Sequence, residues 1–325
     1  MTKRVNFIDI SRGISIILMI IGHVVPYLSL ERRIIFSFHM PIFVFISGYF
    51  FSYRKSYKEL FFSFRKIIVP YLLTLGTFSL IQFFLTGGSI LEYIKDLSLQ
   101  IIFSYSYARR IPFGSIAPVG VLWFIPFLIC CRIVFTYLYG KSTTDRQLFY
   151  ACAGTSVLGA LIGRAGLFLP LSFDVALASI FFMYVGYMFR KYDILSRVNW
   201  SPLLMIIIFS IWSLGFWIKA LELAIRSYPF FPFCFVSAIC GILIVFQISI
   251  FVDAHSSLAN ILQWYGKNSM LMLCFHHLES LINYNVLGIS TVPGLIVAKL
   301  LITSLGTVIV LKIKTFASTG NTQKS

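Results

Sequence analysis

Apolar residues along this chain come in long runs separated by short polar breaks. A helix needs about 20 such residues to cross a hydrocarbon core of about 30 Å. Runs near that length lie at 8–28, 34–52, 67–87, 117–139, 148–165, 173–189, 201–219, 229–251, 268–286 and 291–313. The run at 148–165 is the shortest and is rich in glycine, and 88–116 has room for a short interfacial helix. The first run carries Asp9 and Arg12 inside its start and has no small-residue cleavage pattern, so it reads as a retained span and not a signal peptide. The pattern predicts an all-α integral membrane protein: a bundle of about ten transmembrane helices forming a single domain over 1–325, with no separate soluble domain.

Composition agrees. The chain is 58% apolar, 17% aromatic and 12% charged, whereas soluble domains carry about 25% charge and 45–50% apolar residues. One soluble core cannot absorb that excess. With 11 Pro, 21 Gly and no repeat period, disorder, collagen and a secreted disulfide scaffold are excluded too. The six cysteines all fall inside apolar runs without metal-ligand spacing, which predicts reduced, packed thiols and no metal. A net charge of +16 on a soluble domain would suggest nucleic acid. On a membrane chain it reads first as orientation, because Lys and Arg gather in cytoplasmic loops. With ten spans and both termini cytoplasmic, the inner segments hold sixteen of the 27 basic residues and the outer segments eight. That bias supports this topology over its inversion, and no nucleic-acid partner is expected.

Ionisable groups inside spans are costly unless paired or wetted, so each is a functional candidate. At 100° per residue, Arg12 and His23 differ by a rotation of about 20° and a rise of about 16 Å. Asp9 shares their face and pairs with Arg12 at i,i+3. One polar stripe therefore runs up an otherwise Ile/Leu/Met helix. A short turn at 29–33 makes the second run an antiparallel neighbour, which brings His39 to the depth of His23, with Pro41 placed to kink the helix below it. Ser47 and Gly48 permit close helix approach.

The inner loop from Tyr53 to Tyr71 holds five basic residues, including Arg65 and Lys66 at the mouth of the third span. It is suited to lipid anchoring or to a phosphate-bearing ligand. Arg132 and Lys299 lie within spans and either snorkel or point inward. His276 and His277 interrupt the ninth run beside Glu279; as successive residues they face different sides, so at most one joins His23.

The ordered set Asp9-x-x-Arg12, His23, Phe38-His39-Met40-Pro41, Ser47-Gly48-Tyr49-Phe50, Arg65-Lys66 running on to Pro70-Tyr71, and Leu122-Trp123-Phe124-Ile125-Pro126 resembles the family-3 membrane acyltransferases. It looks most like the branch described as fucose 4-O-acetylases and related polysaccharide O-acetyltransferases. The motifs cover roughly residues 1–135. The resemblance implies a bacterial inner-membrane enzyme that moves an acetyl group from acyl-CoA to a hydroxyl of a cell-surface polysaccharide or lipid-linked sugar. No permanently bound cofactor is implied, and acetyl-CoA is the donor substrate. Many members carry an additional soluble esterase-like domain, which this reading of the chain lacks.

By position, His23 matches the family's essential histidine, acting as general base or transient acyl carrier. Asp9 and His39 are the other catalytic candidates, and Arg12, Arg65 and Lys66 the acyl-CoA-binding ones. Ser47, Trp123, Arg132 and His276 are candidates for lining the pocket. The competing class is a transporter or flippase of a glycan or lipid-linked sugar. Inverted repeats and broken helices in both halves would mark it, and neither is clear in the sequence.

Overall fold

The computed structural model describes residues 5–54, 56–111 and 114–322, so Lys3, Arg4, Lys55 and Lys324 of the charge count lie outside the described residues. In chain order the elements are α1 (Asn6–Gly22), α2 (Leu30–Phe36), α3 (Pro41–Tyr49), α4 (Tyr57–Thr86), α5 (Ile90–Phe103), the hairpin β1 (Arg109–Ile111) and β2 (Gly114–Ile116), α6 (Phe124–Lys141), α7 (Asp145–Arg164), α8 (Phe173–Lys191), α9 (Ile194–Arg197), α10 (Pro202–Ile218), α11 (Phe233–His255), α12 (Ala259–Lys267), α13 (Ser269–Leu278) and α14 (Val292–Thr322). Among the described residues, five helical stretches are long and apolar enough to cross a membrane: Lys58–Thr86, Gly120–Lys141, Pro170–Lys191, Phe233–His255 and Val292–Phe316. Pro202–Ile218 is a shorter apolar helix. The stretch 88–116 contains α5, which starts in a capping box: Ser89 accepts from the Glu92 backbone while the Glu92 carboxylate accepts from the Ser89 N–H.

Three of the long apolar runs are not continuous helices. α1 ends at Gly22 after 17 residues. The second run is divided into α2 and α3 by turns over 37–40, and Pro41 restarts the helix from its first position, where no backbone N–H is needed. The ninth run starts at Asn268, whose backbone (φ −108°, ψ 14°) breaks it from α12, and its helix stops at Leu278 in a 3-10 turn over Glu279–Leu281. Irregular backbone at membrane depth is tolerated only inside protein or around a cavity. All three runs contribute residues to one cavity, described below.

Lipid tails are as apolar as leucine, so helices in a bilayer associate through close packing and polar contacts. Glycine pairs supply the closest approaches. A Cβ on Gly13 would fall 2.0 Å from the Leu262 carbonyl oxygen, and one on Gly266 would fall 1.7 Å from that of Asp9. α1 and α12 thus cross backbone against backbone. Gly48 and Gly186 do the same for α3 and α8, against the carbonyl oxygens of Met183 and Phe45.

Apolar packing fills the rest. One cluster joins α1, α6 and α8 through residues such as Phe127, Phe135 and Phe182, and a second joins α3, α10 and α11 through Phe45, Trp212 and Phe246. In a buried clamp away from the cavity, Arg226 donates to both carboxylate oxygens of Asp174 at 2.8 and 3.2 Å. This fixes the 219–232 connection to the start of α8. All six cysteines are buried and free.

Candidate active site

One cavity of about 700 Å³ runs through the bundle between α1, α3, α4, α6 and α13. Its polar lining falls into three levels. At one end stand Arg12 and Arg132, with Ser47 nearby on α3. In the middle stand His23, His39, His276, His277, Glu279 and Lys299. At the far end stand Tyr107 and Glu222.

α1 positions the first histidine. Its continuous helical stretch from Arg12 keeps the predicted rise of about 16 Å to His23, which forms the C-cap with its backbone N–H bonded to Met19 and Ile20. The His23 side chain is exposed, and because it lines the cavity, that exposure is to the interior space. Its ring meets Phe36 edge to face at 5.8 Å between centroids and His276 at 5.4 Å. His39 packs on the same Phe36 ring at 4.6 Å, so the two predicted histidines share an aromatic platform. Nδ1 of His39 lies 2.9 Å from the Ile35 carbonyl oxygen. That acceptor places the ring proton on Nδ1 and leaves Nε2 as the basic nitrogen of the neutral ring.

At the opposite end, Arg12 lies 3.6 Å from the Asp9 carboxylate and 5.7 Å over the Phe50 ring. Asp9 is buried and is not among the cavity-lining residues, so it meets the site through Arg12. Arg132 is half-buried, with its guanidinium 5.5 Å from the Phe64 ring centroid. Trp123 lines the cavity beside Phe124. Arg65 and Lys66 are exposed on α4 and are not among the cavity-lining residues. The structure therefore brings together Arg12, His23, His39, Ser47, Trp123, Arg132 and His276, and leaves Arg65 and Lys66 outside.

Beneath His276 lies a buried charge network. Its Nδ1 is 2.9 Å from Glu279 Oε1, at ion-pair distance but off the line of a good hydrogen bond. Lys299 donates to both Glu279 oxygens at 2.8 and 2.9 Å, and the Tyr284 hydroxyl donates to Oε2. A carboxylate this deep is tolerable because cations and donors converge on it. His277 lines the cavity too but meets Phe78 and not His23, its ring tilted by 38° to that of Phe78 with the centroids 4.1 Å apart. It also lies against Gly120, whose positive φ (+51°) and missing Cβ let the chain pass beside the imidazole.

The far end is built around Arg32. Its guanidinium donates to the Gly22 carbonyl at 2.9 Å and to Glu222 at 3.1 Å, and lies 3.7 Å over the Phe36 ring. Glu222 sits in the connection between α10 and α11, where burial pushes its carboxyl above the usual range and Arg32 pulls it back. Among the described residues no group of three or more His, Cys, Asp or Glu side chains converges as metal ligands.

The family model described as acyltransferase domain matches residues 5–312. The chain belongs to the family-3 acyltransferases. No curated protein and no solved structure gives a match. With that membership, the helical architecture and the apolar spans, this is a multi-pass membrane acyltransferase.

Several residues at the cavity carry no clear signal in the sequence. Arg32 falls among the eight basic residues of the outer segments, where its charge reads as topology, and Glu222 belongs to no motif. In the sequence Lys299 either snorkels or points inward, and Glu279 stands only as a neighbour of the histidines. One signal was available for the last two: opposite charges within apolar runs are each too costly to stand alone, and so call for each other.

Proposed function

We propose that this acyltransferase moves an acetyl or other short acyl group from cytoplasmic acyl-CoA to a hydroxyl of a cell-surface polysaccharide or lipid-linked sugar. In this reading the chain makes ten passes in a bacterial inner membrane with both termini cytoplasmic, the shorter and broken helices completing the five long spans. The observation that carries the proposal is a cavity with guanidinium groups at one end, imidazoles in the middle and a carboxylate and a phenol at the other.

Arg12 and Arg132 hold donor phosphates at the cytoplasmic end, where Arg gives charge-assisted, bidentate contacts. The interval of about 16 Å between Arg12 and His23 suits an extended thioester arm. His23 takes the proton from the acceptor hydroxyl as the oxygen attacks the thioester carbonyl, or carries the acyl group itself. The neutral ring of His39 accepts through Nε2 to hold the reacting groups. The acceptor sugar enters from the Tyr107–Glu222 end. Family membership favours this transfer over transport of a glycan.

The test is CoA release by purified protein supplied with acetyl-CoA and a glycan acceptor, read with a thiol reagent. His23→Ala is expected to lower the rate at least 100-fold at equal folded protein. Undiminished acetylation by that variant would remove His23 from the chemistry.

A further inference from the structure

The imidazole of His276 stands beside that of His23 and is backed by a buried carboxylate. The ring centroids are 5.4 Å apart, both side chains line the cavity, and His276 is otherwise buried. Glu279, with its side chain fully buried, stands 2.9 Å behind Nδ1 of His276 and is itself held by Lys299 and Tyr284. A carboxylate behind Nδ1 favours the proton there and leaves Nε2 as the basic nitrogen. Glu279 thus places a negative charge behind one imidazole, on a ring that stands beside the other.

We propose that His276 is a proton-relay partner of His23, with Glu279 as the positioning residue that compensates its charge. This rests on the acyl-transfer reading above. The O–H bond of the acceptor breaks as its oxygen forms the new bond to the acyl carbon, and the proton goes to His23. The carbon–sulfur bond of the thioester breaks with its electron pair going to sulfur. The proton passes from His23 to Nε2 of His276, and from there to the departing thiolate. The products are the ester and CoA thiol, and both rings end neutral. Glu279 lowers the cost of the brief positive charge on His276, while Lys299 and Tyr284 keep the carboxylate satisfied when that charge is absent.

The relay is tested with His276→Gln, Glu279→Gln and His276→Gly in the full-length protein in detergent or nanodiscs. His276→Gln keeps polar atoms but cannot carry a proton as imidazole does. It is expected to lose at least 100-fold in kcat, with KM for acyl-CoA within threefold of wild type. Glu279→Gln is expected to follow in the same direction with a smaller loss. In His276→Gly, added imidazole is expected to raise kcat at least tenfold. Pyrrole, of equal ring size but without a basic nitrogen, is expected to do nothing.

The relay is wrong if His276→Gln keeps a tenth or more of wild-type kcat, or if pyrrole restores His276→Gly as well as imidazole does. A His276→Gly variant that does not fold leaves the His276→Gln result decisive. Active wild type with an unimpaired His276→Gln overturns the relay alone. Wild type that transfers no acyl group overturns the relay together with the reading it rests on.

Discussion

The guanidinium of Arg32 donates to the carbonyl oxygen of Gly22 across 2.9 Å and closes α1 one residue before His23. The same side chain neutralises Glu222. Both partners are largely buried, so removing one charge strands the other. Arg32→Gln is expected to destabilise the protein by about 3 kcal/mol. Arg32→Gln with Glu222→Gln is expected to recover more than half of that. Unfolding in detergent followed by tryptophan fluorescence measures both; equal loss in single and double variants would contradict the pairing.

The four candidate phosphate-binding cations divide by position. Arg12 and Arg132 line the cavity, whereas Arg65 and Lys66 are exposed away from it. Arg12→Ala and Arg132→Ala are each expected to raise KM for acyl-CoA roughly tenfold or more, the worth of a charge-assisted hydrogen bond. Arg65→Ala and Lys66→Ala act only through screened attraction. Their effect is expected to stay below about threefold at physiological salt and to vanish at high salt. Initial rates across donor concentration at two ionic strengths separate the groups.

The α1–α12 crossing leaves no room for a methyl group. Gly266→Ala sets a Cβ 1.7 Å from the Asp9 carbonyl oxygen, so the helices must move apart or the protein must fail to fold. A loss of about 1–3 kcal/mol or more is expected. Gly76→Ala, with nothing within 4 Å of the added Cβ, is the control. It is expected to be neutral or slightly stabilising, since alanine is the better helix former. Thermal unfolding of the two variants side by side is the measurement.

Acid sensitivity has a source at the start of α7. Lys191 donates to the Asp145 carboxylate at 2.7 Å, and Tyr192 donates to it as well. These bonds, Lys191's first, hold the carboxyl below its usual range. A depressed acid pKa gives stability that is present above the unfolded value near 3.9 and is lost as pH falls through the folded one. Asp145→Asn is expected to remove that part of the pH dependence. At neutral pH it is expected to cost no more than about 1 kcal/mol, because the pair is partly exposed. Melting curves at pH 7 and in the acid range test it.

The family and the α1 stripe were legible because they are local. The order and spacing of short motifs lie along the chain, and helical period places Arg12 and His23 on one face without knowledge of any other element. The pairing of His23 and His39 through Phe36 was half legible: their closeness is as expected, but the expected turn at 29–33 is instead the cap and first half of α2 (Leu30–Phe36), which brings in the ring that stands between them. What escaped depends on distant contacts. Nothing near residue 23 announces His276, and the opposite charges of Glu279 and Lys299 call for partners without naming each other, because α13 and α14 are brought together only in the bundle. Arg32 escaped for another reason. A basic residue in a loop is the expected bland outcome of membrane orientation, and only its carbonyl and carboxylate partners distinguish it from Arg33, its neighbour in sequence.

The glycine crossing of α1 on α12 bears on more than packing. α12 passes into α13 through the single residue Asn268, so His23 and His276 ride on two arms joined where main chain lies against main chain. Their spacing works like a calliper set at the joint. The α4 and α14 spans are the least buried of the five long ones and lie outside that joint, so the setting of the gauge belongs to the glycine crossing and not to the lipid-facing walls.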